Sequence, residues 1–279
     1  MNLLQCHNIY QESLHAIHTK DEIRFIFKTL LKGLFGWDAT ALALSQQRKL
    51  THSEIYTMEK ALQDLLTDRP LQYIVGHTYF RGLKIEVNAA TLIPRPETEE
   101  LVGWLLEEVK EQRQKVLDIG TGSGCIALAI KSAQPFWHLT ALDVSEKALA
   151  TARRNSEQLN LEIEWLHLDI TKGQLSEKFD CIIANPPYVT QTEKGQMKAN
   201  VLDFEPHRAL FVPDEDPLIF YRSIFDCAQK HLTEEGQIFF EINPNFSREL
   251  IDLALHYGFT KTEIKTDIFG KERLLRTQK

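Results

Sequence analysis

The sequence lacks the marks of several functional classes. It contains no apolar run of the roughly 18 residues that a membrane-spanning helix needs. No charged leader with an apolar core and cleavage site opens it, so no membrane association is expected. Its four cysteines, Cys6, Cys125, Cys181 and Cys227, show no CxxC spacing, which argues against the common zinc and dithiol signatures. Two of them stand inside apolar patterns, so they read as reduced, packed thiols of a cytoplasmic protein. His7, His15, His18 and His52 form no convergent ligand pattern, and no metal is expected. A Lys/Arg-rich block is also missing. The 32 Lys and Arg face 39 Asp and Glu, a net charge of -7. Residues 1–70 carry eight of each sign, so the negative excess falls on residues 71–279. That balance suits a cationic cofactor or a protein substrate better than a phosphate backbone, and no direct nucleic acid binding is expected.

A chain of 279 residues can bury one substantial core and carry a smaller domain besides. Residues 1–72 place Ile23, Phe25, Ile26, Phe27, Leu30, Leu31 and Leu34, then Leu62, Leu65 and Leu66, at helical spacings, which predicts a helical bundle ending near Pro70. Residues 73–90, with Gly76 and Arg81-Gly82 between β-prone stretches, predict a linking hairpin. Residues 91–279 form the third region, where Thr98 caps or begins a helix bearing Leu101, Val102, Leu105, Leu106 and Val109. From residue 115, strand patterns (115–120, 138–144, 163–170, 178–189, 236–242) alternate with helical ones (125–133, 147–159, 216–232). Segments 247–259, 262–269 and 272–278 add a helix and a final pair of strands. Such alternation predicts an α/β domain with a largely parallel sheet, whose ligands sit beyond the carboxyl ends of the strands.

Gly120-Thr121-Gly122-Ser123-Gly124 follows the first of these strands and precedes a helix. The glycines let a ligand lie against the backbone. Cys125 breaks the Gly-x-Gly-x-x-Gly dinucleotide pattern, and the Gly-Lys-Ser/Thr ending of a phosphate loop is absent. A ligand without phosphates is therefore expected. Asp143, at the end of the next strand, is placed to accept both hydroxyls of a ribose. Together with Asp118 it adds negative potential that favours the sulfonium and ammonium of S-adenosylmethionine over a pyrophosphate. Asp169 is placed where an adenine amino group could donate to it.

The stretch Ala184-Asn185-Pro186-Pro187-Tyr188 ends an apolar strand on a stiff elbow, since each proline fixes its own φ and biases the residue before it away from helix. The Asn185 side-chain oxygen and the Pro186 carbonyl then form adjacent acceptors for the two hydrogens of a planar NH2 group. Fixing such a nitrogen with its lone pair aimed at an electrophilic methyl is catalysis by positioning. Tyr188 could stack on the planar group. On these residues alone any planar NH2 group remains a candidate, adenine's included.

The elbow and glycine loop resemble the S-adenosylmethionine-dependent amino-methyltransferases. Leu92-Ile93-Pro94-Arg95-Pro96-Glu97-Thr98-Glu99, Pro70 to Gly76, Glu205-Pro206-His207-Arg208-Ala209-Leu210 and Asp267 to Arg273 narrow the resemblance to the release factor glutamine methyltransferases, along essentially the whole chain. The resemblance implies a Rossmann-like methyltransferase sheet with an N-terminal substrate-docking bundle. It implies methylation of the glutamine N5 in the Gly-Gly-Gln motif of class I peptide chain release factors, hence a role in translation termination, with S-adenosylhomocysteine as product. By resemblance Gly120, Thr121, Gly122, Ser123 and Gly124 wrap the cofactor, Asp143 holds its ribose and Asn185 lies beside its methyl-donor end. Asn185, Pro186, Pro187 and Tyr188 clamp the substrate amide, with Asn185, Pro186 and Tyr188 as the catalytic set. Ile170 stands where family members often carry an aromatic residue, so beside Asp169 it offers adenine an apolar contact instead of a stack. Glu205 is expected to order a loop over the substrate, Arg95, Glu97 and Thr98 read chiefly as a helix start, and the expected state is a monomer. The rival reading is a DNA adenine-N6 methyltransferase, whose base offers the same NH2 group but which needs a basic recognition surface.

Overall fold

The computed structural model describes residues 1–37, 47–173 and 175–279. These divide into two compact units, Met1–His77 with Lys198–Phe204, and Thr78–Met197 with Glu205–Lys279.

In the first unit, helices α1 (Leu3–Leu14), α2 (Lys20–Phe35) and α3 (His52–Leu66) each begin with a capping box, on Asn2, Thr19 and Thr51. Each box satisfies backbone donors that the first helical turn leaves unpaired. The buried stripe includes Tyr10, Leu14, Ile23, Phe27, Leu30, Leu31, Met58 and Leu62, as the helical spacing requires. Phe25, counted with that stripe in the sequence, points outward at 67% exposure. The short helix α4 (Leu71–Val75) starts after Pro70 and stops at Gly76, so residues 73–75 are helical and the expected hairpin begins only at His77.

Strands β1 (His77–Phe80) and β2 (Leu83–Glu86) form that hairpin. Helix α5 (Pro96–Glu108) starts with Pro96 at its first turn, where a missing N–H costs nothing. Thr98 is therefore inside the helix, and Arg95 is the residue that precedes it. The alternating run comprises β3 (Lys115–Ile119), α6 (Cys125–Ala133), β4 (His138–Asp143), α7 (Glu146–Leu159), β5 (Glu164–His167) and β6 (Phe179–Ala184). After β7 (Val189–Thr190), α8 (Ala199–Phe204) and β8 (Phe211–Val212) come α9 (Ile219–His231), β9 (Leu232–Glu241), α10 (Ser247–His256), β10 (Lys261–Thr266) and β11 (Glu272–Gln278).

Seven strands form one sheet in the order β10-β11-β9-β6-β3-β4-β5. Strands β9, β6, β3, β4 and β5 run parallel, while β11 and β10 return antiparallel at one side. Helices α9 and α10 pack Tyr221, Ile224, Phe225 and Leu250 against Leu117, Ile119, Ile182, Ile238 and Phe240. Alternation along the strands sends Phe239 to the opposite face, where its ring meets Trp104 of α5 edge-on at 5.8 Å. The chain order turns back at β3, since β4 and β5 lie on one side of it and β6 and β9 on the other. Ligand crevices in open α/β sheets open at such a reversal.

Candidate functional site

The register of the sheet assembles the site. Leu142, Ile119, Ala184 and Phe240 are paired across β4, β3, β6 and β9. The next residues along these parallel strands are Asp143, Gly120, Asn185 and Glu241. Sequence neighbours of four separate segments thus form one rank at the carboxyl end of the sheet, at about 4.8 Å per strand.

A cavity of about 470 Å³ opens above this rank. That lies within the roughly 300–1,000 Å³ typical of small-molecule sites. Gly120, Thr121, Gly122 and Ser123 form one wall, Asp143, Asp169 and Ile170 another, and Asn185, Pro186 and Pro187 a third. Gly122 has φ +57°, a conformation that disfavours a side chain, and a Cβ there would project into open space. Its backbone can therefore lie directly against a ligand. The Gly122 N–H donates to Asp143 Oδ2 at 2.9 Å, and the Ser145 N–H to Oδ1 at 2.8 Å. Each carboxylate oxygen keeps a lone-pair site for a further donor, as two vicinal hydroxyls require. Burial raises the Asp143 carboxyl above its ordinary range, against these backbone donors and the charge of Arg208, which favour the ionised form.

Asp169 lies two residues beyond β5, not at its end as the pattern suggested. Its Oδ1 accepts from the Thr171 N–H at 3.0 Å and the Thr171 hydroxyl at 2.6 Å, and the hydroxyl bond holds its carboxyl below the usual range. An ionised acceptor beside Leu168 and Ile170 on the cavity wall fits a flat ring carrying an amino group. The donor set as a whole fits a nucleoside without phosphates.

At the elbow the Asn185 side chain is held by a network that the sequence did not reveal. Asn185 Nδ2 donates to Thr98 Oγ1 at 3.2 Å, and the Thr98 hydroxyl donates to Glu241 Oε2 at 2.6 Å. The Tyr188 hydroxyl donates to the other Glu241 oxygen at 2.9 Å. Glu241 is 2% exposed, and burial raises its carboxyl above the ordinary range. The hydroxyls of Thr98 and Tyr188 and the charge of Arg273 oppose that rise, and Glu97 adds to it. An acidic residue closing the apolar run Ile238-Phe239-Phe240 was the one available signal for this hub.

Four expectations change. Tyr188 is outside the residues that line the cavity, and its hydroxyl donates to Glu241, which ties the elbow to the end of β9. Gly124 does not line the cavity either; a Cβ there would meet Trp165 at 2.8 Å and Ala152 at 3.1 Å, so this glycine serves close packing. Glu205, also off the wall, is 4% exposed and receives the Arg95 guanidinium at 2.5 Å and the Ile93 N–H at 3.1 Å, which pins the segment before α5. Asp118 is fully buried, and desolvation pushes its carboxyl up to about 7, so it carries the full charge expected of it only above neutral pH. Thr98, Arg95 and Arg208 join the cavity wall, whereas Glu97 does not.

Comparison with known proteins places this geometry in context. Residues 101–204 match the family profile of the methyltransferase small domain, and residues 11–76 match that of the PrmC N-terminal domain. A release factor glutamine methyltransferase of Flavobacterium psychrophilum is 41% identical over 96% of this chain and 95% of its own length. One from Bacteroides thetaiotaomicron is 39% identical, covering 95% and 96%. The crystal structure of a methyltransferase from Pyrococcus furiosus shares the fold, with a TM-score of 0.53 at 22% identity over 70% of this chain and 88% of that one.

Proposed function

We propose a single reaction for this chain, which belongs to the release factor glutamine methyltransferase family: transfer of a methyl group from S-adenosylmethionine to the N5 amide nitrogen of the glutamine in the Gly-Gly-Gln motif of bacterial peptide chain release factors. When bound, the cofactor supplies an electrophilic methyl group on a sulfonium. Gly120, Thr121, Gly122 and Ser123 give it a backbone surface, Asp143 accepts its ribose hydroxyls, and Asp169 with Ile170 receives its adenine.

Asn185 Oδ1 and the Pro186 carbonyl accept the two N–H groups of the substrate amide. They hold its plane so that the nitrogen lone pair faces the methyl carbon. With the cofactor bound, transfer would form the carbon–nitrogen bond as the carbon–sulfur bond breaks, that electron pair remaining on sulfur. The methylated nitrogen then gives its extra proton to water. Both acceptors also stabilise the positive charge that develops on nitrogen, so they act more strongly in the transition state than on the neutral amide.

The observation that supports this reading is the polarity of Asn185. Its Nδ2 is engaged by Thr98, so its oxygen is the atom left for the cavity, one residue from the Pro186 carbonyl. Incubating the protein with labelled S-adenosylmethionine and either unmodified release factor or unmethylated duplex DNA tests the assignment. Label is expected in the factor; label in DNA alone would refute it. In the same assay Asn185→Ala is expected to lower the transfer rate by about 10²-fold or more while S-adenosylhomocysteine affinity changes little. Equal losses in both would remove Asn185 from the clamp.

A further inference from the structure

We propose that Thr98 and Glu241 are positioning residues that set the polarity of the Asn185 amide, so that its oxygen and not its NH2 group faces the substrate. The proposal rests on the role of Asn185 given above and concerns what fixes that role.

An asparagine amide can turn over, exchanging oxygen and nitrogen at almost no steric cost. In the wrong orientation Asn185 would offer hydrogens to a substrate NH2, donor against donor, and the clamp would fail. A hydroxyl has one hydrogen to give. The Thr98 hydroxyl gives its own to Glu241 Oε2 at 2.6 Å, and so can only accept from Asn185, whose Nδ2 stands 3.2 Å away. Glu241 is held in turn by the Tyr188 hydroxyl on Oε1, at 2.9 Å. While Glu241 is ionised it can only accept, and both hydroxyls must point at it. The direction of every hydrogen bond from Glu241 to Asn185 is then determined.

The surroundings of Glu241 make this hub sensitive to protonation. It is buried at the end of β9 and faced by Thr98 and Glu97 of α5, Tyr188 after β6, Arg273 of β11 and Cys125 of α6. The Tyr221 hydroxyl of α9 donates to its main-chain oxygen at 3.0 Å. Arg273 favours its ionised form and Glu97 opposes it. A proton arriving on Oε2 turns that oxygen into a donor towards Thr98, frees the hydroxyl hydrogen for Asn185 and removes the bias on the amide. The turnover rate should therefore fall on the acid side as Glu241 protonates, with little change in substrate affinity.

Thr98→Val, Thr98→Ser and Glu241→Gln test the proposal in the full chain. Thr98→Val should lower kcat about 10–100-fold, with KM for the release factor and S-adenosylhomocysteine affinity within about threefold of wild type, and should lose the acid limb. Thr98→Ser should restore most of kcat and the limb together. Glu241→Gln, whose amide offers one acceptor for two hydroxyl donors, should lower kcat and abolish the limb. Equal losses in the Val and Ser variants, or an acid limb that persists in Thr98→Val, would overturn the proposal in favour of simple packing. The side-chain amide resonances of Asn185 give a reading independent of turnover. They should shift through the acid titration in the wild type and not in Thr98→Val, and an unchanged response overturns the lock even if no methyl transfer is found. Absence of transfer by the wild type would instead contradict the assigned reaction.

Discussion

Asp118 is an ionisable group placed where water cannot reach it. Its Oδ2 accepts from the Thr121 hydroxyl at 2.6 Å and the Ala127 N–H at 3.3 Å, while Oδ1 has no partner. Desolvation outweighs these two bonds, which favour the charge, and raises the carboxyl from 3.8 to about 7. The folded state therefore holds a proton that the unfolded chain releases at lower pH. Its contribution to stability is full below about pH 4, declines as pH rises, and is lost by about pH 7. At about 1.4 kcal/mol per unit the difference is on the order of a few kcal/mol. Urea unfolding at the two ends of this window should show the wild type losing more stability than Asp118→Asn as pH increases. Parallel pH dependences would contradict the placement of this charge. Asp143 differs in that each of its two oxygens accepts from a backbone N–H, whereas Asp118 leaves Oδ1 without a partner. Spending one carboxylate on structure and leaving the next open to the cavity is visible only once the side chains have partners.

The turn between β3 and α6 separates two uses of glycine that look alike in the sequence. Gly122 and Gly124 both have positive φ, but a Cβ on Gly122 meets open space and one on Gly124 meets Trp165 and Ala152. Gly124→Ala should lower the stability of the fold by about 1–3 kcal/mol through backbone strain and overpacking. Gly122→Ala pays the backbone strain alone, and should weaken S-adenosylhomocysteine binding more than Gly124→Ala does for each kcal/mol of stability lost. Thermal unfolding and calorimetric titration of both variants check this, and a reversed ranking would contradict the division of labour. Elements with strong local signals were legible in advance. Helix α6 spans 125–133 and strand β11 spans 272–278 as their patterns required. Boundaries moved where tertiary pairing decided them. β9 begins at Leu232 because Phe179 of β6 pairs with it there, four residues before the apolar run that marked the strand. The Glu241 hub was illegible for a related reason. Its partners Thr98 and Tyr188 lie 143 and 53 residues away, brought to it by the packing of α5 on the sheet and by the pairing of β6 with β9.

At the scale of the molecule, the sheet converts chain order into the floor of the cavity. The glycine loop, Asp143, the elbow at Asn185 and Glu241 follow four strands whose ends align at the reversal of strand order. That arrangement was largely predictable from alternating strands and helices, because parallel strands place all their carboxyl ends on one side. The substrate was not predictable from the elbow alone, since adenine and glutamine present the same NH2 group. The fold leaves that ambiguity standing, and the family decides it through relatives that match over nearly the full length. The measurement that bears most directly on the account is peptide mapping by mass spectrometry of an unmodified release factor after incubation with the protein and S-adenosylmethionine. The account predicts one added methyl group, on the glutamine of Gly-Gly-Gln, and none on a factor carrying alanine at that position. Methylation elsewhere, or undiminished methylation of the alanine variant, would contradict it.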